Sequence, residues 1–199
     1  MNFIIATTNR GKAREIQDLL GEKHNLKTLE DINFKENIIE SGSTFAENAC
    51  IKAEAVRSWI RDGYDYILAD DSGLMIDALN GDPGVHSAQW LGANTPYDVK
   101  NQRILEMLRG ITEERRKARF VCVIACAKQT GSIKTVEGVL EGRIAFKSVG
   151  DNGFGYDPIF FVPDVNQTLA QLNSLEKTRI SHRGQALCHM CNLLGVDLL

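Results

Sequence analysis

Asp70 and Asp71 are adjacent carboxylates that follow the apolar run Tyr66-Ile67-Leu68-Ala69 and precede Ser72-Gly73. Neighbouring carboxylates repel unless a cation lies between them or one of them is protonated. Mg²⁺ meets that need, because it binds through a few carboxylates, waters and substrate phosphates. The apolar run predicts a strand ending at Asp70 with Ser72-Gly73 as its turn, and strand ends are where α/β folds place their chemistry. Taken alone, the pair also reads as a solvated turn. Glu40, just ahead of Ser41-Gly42, is a lone acid.

Three further groups carry chemistry. Thr7-Thr8-Asn9-Arg10-Gly11-Lys12 lies between a predicted strand and a predicted helix. Hydroxyls, a lysine and the free amides of a helix start make a phosphate cradle, although the spacing is not that of a Walker A loop. An ordinary strand-to-helix turn is the alternative. Lys177, Ser181, His182 and Arg183 are clustered, with Ser181 as the cap of the last helix. Cations in a first turn oppose the helix dipole, so either a bound anion offsets them or they form a surface basic cluster. In Gly153-Phe154-Gly155-Tyr156-Asp157-Pro158, glycines flank an aromatic. That pattern lets a flat ligand approach the backbone, with rings to stack on a base and Asp157 to accept from ring N–H groups. It also fits a tight turn with core aromatics.

Alternating elements must hold these groups. Residues 3–6 read as a short strand, followed by a helix with Ile16, Leu19 and Leu20 at helical spacing and Gly21 as its stop. A second short strand is expected over 26–29 and an irregular acidic connection over 31–42. Thr44-Phe45-Ala46-Glu47 is a capping box opening a helix to about residue 61. Its apolar face is Phe45, Ala49, Ala53, Val56 and Ile60, and Asn48 and Lys52 share another face. Thr95-Pro96 opens a helix that stops at Gly110. Residues 120–127 read as a buried strand turned at 129–132 into an antiparallel partner over 133–140. The last helix spans about 181–194. This mixture makes the class α/β with a mixed sheet.

Bulk properties exclude several functions. The 199 residues are 43% hydrophobic, enough for a buried core. A formal charge of −3 is a poor footprint for a nucleic-acid backbone. The longest apolar run, 120–127, is too short to cross a membrane. Five cysteines within apolar segments read as reduced thiols of a cytoplasmic protein, with no secretory leader expected. Cys188-His189-Met190-Cys191 lies on a core-facing helix and has no second pair to complete a metal site.

The order of the motifs adds a family. Ala6-Thr7-Thr8-Asn9-Arg10-Gly11-Lys12-Ala13-Arg14-Glu15-Ile16 resembles the opening of inosine triphosphate pyrophosphatases, which hydrolyse nonstandard purine nucleoside triphosphates. The helix from Thr44 to Ala53, Ala69-Asp70-Asp71-Ser72-Gly73-Leu74, Pro83-Gly84-Val85-His86-Ser87-Ala88, the Gly153 loop and Ser181-His182-Arg183-Gly184 follow in that family's order. The resemblance covers almost the whole chain. It implies one domain over 1–199, an elongated mixed sheet with flanking helices, two lobes around a central cleft, and a homodimer.

It further implies attack of water on the α-phosphorus of ITP, dITP or XTP, giving the monophosphate and pyrophosphate. By that resemblance Asp71 is general base and metal ligand, and Glu40 and Asp70 help to hold Mg²⁺. Thr7, Thr8, Asn9, Arg10, Gly11 and Lys12 bind phosphates, and Ser72 contacts the substrate. Phe154, Gly155, Tyr156 and Asp157 line the base pocket, and Lys177, His182 and Arg183 complete substrate binding. Thr8, Gln89 and Trp90 stand where the family often has Gly, Arg and Tyr or Phe; they bear on substrate range rather than reaction class. A pyrophosphatase for modified pyrimidine or methylated nucleotides, and a nucleotide-binding regulator without turnover, are the alternatives. Neither a nucleic acid nor a membrane is expected as a partner.

Overall fold

A computed structural model describes residues 1–198. The chain forms a seven-stranded mixed sheet in the order β2-β1-β3-β4-β5-β6-β7. β1 (Asn2–Ile5) pairs in parallel with β2 (Asn25–Thr28) on one side and with β3 (Tyr66–Ile76) on the other. β4 (Lys117–Ala127) and β5 (Lys134–Ile144) are neighbours joined by residues 128–133. So short a connection has no room for a parallel crossover and makes the pair a hairpin. β6 (Phe160–Val162) and β7 (Gln167–Thr168) continue antiparallel from β5.

Five α-helices accompany the described sheet: α1 (Arg10–Leu20), α2 (Phe45–Trp59), α3 (Tyr97–Met107), α4 (Ser174–Ile180) and α5 (His182–Leu194). The start and stop signals act as their chemistry requires. Gly21 ends α1 at φ 69° and ψ −177°, a positive-φ conformation open essentially to glycine alone. Thr44 caps α2 in the reciprocal bonding of a capping box, its side chain accepting from Glu47 N–H.

One expectation is corrected. The strand of Asp70 does not end there; β3 runs on to Ile76. Gly73 stays out of the positive-φ region that a glycine turn would use. Leu74 and Ile76 beyond it are fully buried, so the alternating apolar pattern continues past the carboxylates. The chain reverses later, where Asn80 and Gly81 adopt φ of 54° and 92°.

The chain comprises two compact units: Met1–Ser72 with Cys122–Gly138 and the segment from Ser181 on, and Gly73–Val121 with Val139–Ile180. The first has its own core of Phe3, Ile5, Ile16, Leu68, Ile124, Leu187 and Met190. The second buries Leu74, Ile76, Ile104, Phe120, Ile144 and Phe160. Each such side chain contributes roughly 1.5–3 kcal/mol on leaving water. In the first unit β5 meets the start of α5 at Gly138, where a Cβ would lie 2.1 Å from the His182 carbonyl oxygen. Among the described residues no helix is long and apolar enough to cross a membrane.

Candidate active site

Successive side chains of a strand point to opposite faces, so β3 separates its two carboxylates. Asp70 is 1% exposed. Lys12 Nζ lies 2.7 Å from its Oδ1, while Arg183 Nε donates to Oδ2 at 3.1 Å and Cys122 Sγ lies 3.4 Å from that oxygen. Burial alone would push the Asp70 carboxyl up, but the Lys12 and Arg183 charges outweigh it and hold it well below the usual carboxylate range. Arg183 also pairs with Glu15 and donates to Ser72 Oγ at 2.9 Å. Burial acts to lower the Arg183 pKa, and Asp70 and Glu15 raise it instead.

This group answers the dipole conflict at the start of α5. Ser181 caps the helix by accepting from Gly184 N–H at 3.0 Å. The Arg183 cation in the first turn faces two carboxylates of the protein itself, so no bound anion is needed to offset it. His182 beside it is buried.

On the other face, Asp71 meets α2. Lys52 Nζ donates to Asp71 Oδ1 at 3.0 Å and to Glu40 Oε2 at 2.8 Å. Asn48 Nδ2 donates to Asp71 Oδ2 at 3.3 Å. One helix face, at spacing i and i+4, thus serves both oxygens of one carboxylate. The Asp71 side chain is 10% exposed and that of Glu40 33%. Burial raises the Asp71 pKa above the ordinary value, and the Lys52 charge opposes that rise without cancelling it.

The geometry brings together Glu40 and Asp71, two hard oxygen donors around one ammonium, and leaves Asp70 behind the strand with its oxygens on protein cations. Among the described residues no group of three or more His, Cys, Asp or Glu side chains forms a metal-holding cluster. Two carboxylates nonetheless fit a hard cation that takes its remaining ligands from water and phosphate.

The segment before α1 is built around Asn9. Its Oδ1 accepts from Gly11 N–H at 2.9 Å and Lys12 N–H at 3.2 Å, and its own N–H donates to Thr7 Oγ1 at 3.1 Å. Thr8, Asn9 and Arg10 are exposed, Thr7 and Gly11 half-buried. Arg10 reaches Glu30 at 3.5 Å as an exposed pair, which contributes little.

The second unit holds the aromatic loop. Lys177 and Asp157 are a buried ion pair, and Asp157 Oδ2 also accepts from Phe154 N–H at 2.8 Å. Lys177 Nζ lies 4.4 Å from the Phe154 ring centroid. At Gly153, with φ +74°, a Cβ would stand 2.1 Å from that same Asp157 oxygen, so only glycine admits this turn. Phe154 is half-buried, whereas Tyr156 is 3% exposed and belongs to the core. Tyr156 Oη donates to the Ser87 carbonyl at 2.8 Å and its ring meets Tyr97 edge-on at 5.1 Å. Asn101 on α3 donates to the Gly155 carbonyl at 3.1 Å.

Four contributors were not singled out as site residues by the sequence: Glu15, Asn48, Lys52 and Cys122. For Asn48 and Lys52 the signal was present as a polar i, i+4 pair sharing a face other than the apolar stripe of the helix. Glu15 was marked only as a position of the opening motif, and Cys122 by nothing, since each meets its partner across a long stretch of chain.

Comparison with known proteins bears on this arrangement. The family model of the Ham1 family matches residues 3–193. A dITP/XTP pyrophosphatase of Bacillus subtilis is 46% identical over 192 residues, 96% of this chain and 96% of the relative. One from Exiguobacterium sibiricum is 45% identical over 94% of this chain and 93% of the relative. Among solved structures, the Ham1 protein of Staphylococcus aureus superposes with a TM-score of 0.85 at 36% identity, covering 98% of each chain. A HAM1 protein from Coxiella burnetii gives 0.84 at 40% identity, over 99% of this chain and all of the other.

Proposed function

The chain belongs to the Ham1 family, and we propose that it hydrolyses dITP, ITP and XTP to the monophosphate and pyrophosphate with Asp71 as general base. The relatives' activity as dITP/XTP pyrophosphatases supports the reaction. One observation supports the role of Asp71 above the others: it is a buried carboxylate whose pKa burial raises, oriented at both oxygens by Lys52 and Asn48. A general base works best with a pKa moved toward the working pH.

Glu40 and Asp71 would hold a divalent cation, Mg²⁺ in this reading, which neutralises phosphate charge when bound. Lys52 tethers the two carboxylates to each other. Asp70 holds the ammonium of Lys12, and Lys12 with the Thr7 and Thr8 hydroxyls of the same segment binds phosphates. Arg183 fixes the Ser72 hydroxyl, which contacts the substrate. Phe154, Gly155, Asp157 and Lys177 recognise the base, with Lys177 holding the Asp157 carboxylate as an acceptor for a ring N–H. A pocket built on one base edge rejects analogues that leave its polar groups unpaired. The enzyme acts as a homodimer in the cytoplasm.

The test is pyrophosphate release from ITP, XTP, GTP and ATP, with Mg²⁺ and with EDTA. Release from ITP and XTP alone, abolished by EDTA, is the expected result. Orthophosphate as product, or equal rates for all four purines, would overturn the assignment.

A further inference from the structure

Asn48 is 4% exposed and sits in the helix that faces Asp71. An amide so buried is retained only when both of its ends are used. Its Oδ1 accepts from Gly42 N–H at 2.8 Å, and its Nδ2 donates to Asp71 Oδ2 at 3.3 Å. The backbone N–H can only be a donor, so it fixes which end of the amide is oxygen and leaves the NH₂ end for the carboxylate. Gly42 lies two residues after Glu40, the other carboxylate on Lys52.

Gly42 is shaped to this contact. A Cβ there would lie 2.7 Å from Asn48 Oδ1 and 2.6 Å from Glu47 Cβ. Any side chain at residue 42 must therefore displace the amide or the loop.

We propose that Asn48 is a positioning residue that ties the Glu40–Gly42 segment to Asp71, so that the two carboxylates on which the metal and the water depend stay in register. This rests on the reading of Asp71 as the base. Lys52 holds one oxygen of each carboxylate, Asp71 Oδ1 and Glu40 Oε2. Asn48 holds the second Asp71 oxygen, Oδ2, and through Gly42 N–H joins it to the backbone that follows Glu40. The apolar face of α2 needs only Phe45, Ala49, Ala53 and Val56, so packing does not call for an amide at 48.

The experiment compares Asn48→Leu, Gly42→Ala and the double variant with Asp71→Asn as reference, reading kcat and KM for ITP, melting temperature, and Mn²⁺ affinity without nucleotide. Asn48→Leu keeps the side-chain size and removes both bonds. The expected result is a fall in kcat of about 10–100-fold, the size seen when partners of metal-binding carboxylates are removed, with KM changed less than about threefold. Mn²⁺ affinity falls in the same variant. Gly42→Ala, which removes no side chain of the site, is expected to lower kcat in the same direction, and the double variant to be no worse than Asn48→Leu.

Parental kcat and Mn²⁺ affinity in Asn48→Leu, with Asp71→Asn inactive, would overturn the proposal and leave the Asp71 reading standing. So would additive losses in the double variant, which would mean that Gly42 acts through Glu47 instead. Retained turnover in Asp71→Asn would overturn both, since Asn48 would then have no base to orient.

Discussion

Asp70 and Asp71 share a residue type and a peptide bond, and the two faces of β3 make opposite uses of them. On one face Asp70 is sealed between Lys12 and Arg183, with its carboxyl held far below its usual range. It stays ionised at any working pH and is suited to holding cations in place. On the other face Asp71 retains some exposure, keeps a raised pKa, and has one ammonium and one amide to orient it. It is suited to taking a proton. The lesson is that residue type does not set the role of a carboxylate; its direct partners and its burial do, even where the charges of Lys12 and Lys52 reach both aspartates.

The sharpest way to break this contrast is Asp71→Asn. Turnover measured as pyrophosphate release should fall by about 10²–10⁴-fold, the range ascribed to a positioned general base. The melting temperature should hold or rise, because a carboxylate whose pKa is raised by folding costs stability once ionised. A marked loss of stability in this variant would put Asp71 in the class of Asp70.

Asp70→Ala should do the reverse in kind. Removing one partner of a buried pair leaves uncompensated charge, a loss of about 3–5 kcal/mol. For a chain of this size that is a fall of roughly 6–20 °C in Tm by calorimetry. Activity should fall as well, because Lys12 and the Ser72–Arg183 contact lose their anchor.

The pH dependence separates the two faces further. The Asp70 pKa is depressed on folding, so its contribution is fully present above the unfolded value of about 3.9 and is lost as pH falls through the lower folded value. Denaturant melts should therefore show the parent and Asp70→Ala differing equally at pH 7 and pH 5, with the gap narrowing toward pH 3. A gap that shrinks already between pH 7 and pH 5 would contradict the ion-pair account.

The smallest effect is expected from Cys122→Val. The thiol donates weakly to Asp70, and burial pushes its pKa well above the ordinary thiol value, so it stays a neutral, apolar filler. A volume-conserving swap should lower stability by less than about 1.5 kcal/mol and leave pyrophosphate release unchanged. A larger loss would show that the thiol matters to the carboxylate's charge balance.

Much of this protein was legible in its sequence because the relevant signals are local. The strand–helix openings, the capping box at Thr44, Gly21 as a stop, the span of α5 and the α/β class all follow from propensities and spacings within a few residues. The candidate residues in the segment 7–12, at Asp70-Asp71 and in the Gly153 loop were likewise marked by local composition, and the order of six motifs named the family. Only the tertiary structure decided how those residues divide the work. The extension of β3 to Ile76 depends on Leu74 and Ile76 being buried by distant parts of the second unit, which no local signal near Ser72-Gly73 records. Arg183 meets Asp70 and Glu15 from 113 and 168 residues away, and Lys52 meets Asp71 across 19. Sequence spacing fixes which side chains share a face of one element. Which charge lies opposite that face is set by packing, and those surroundings hold the pKa of one aspartate down and leave that of its neighbour raised.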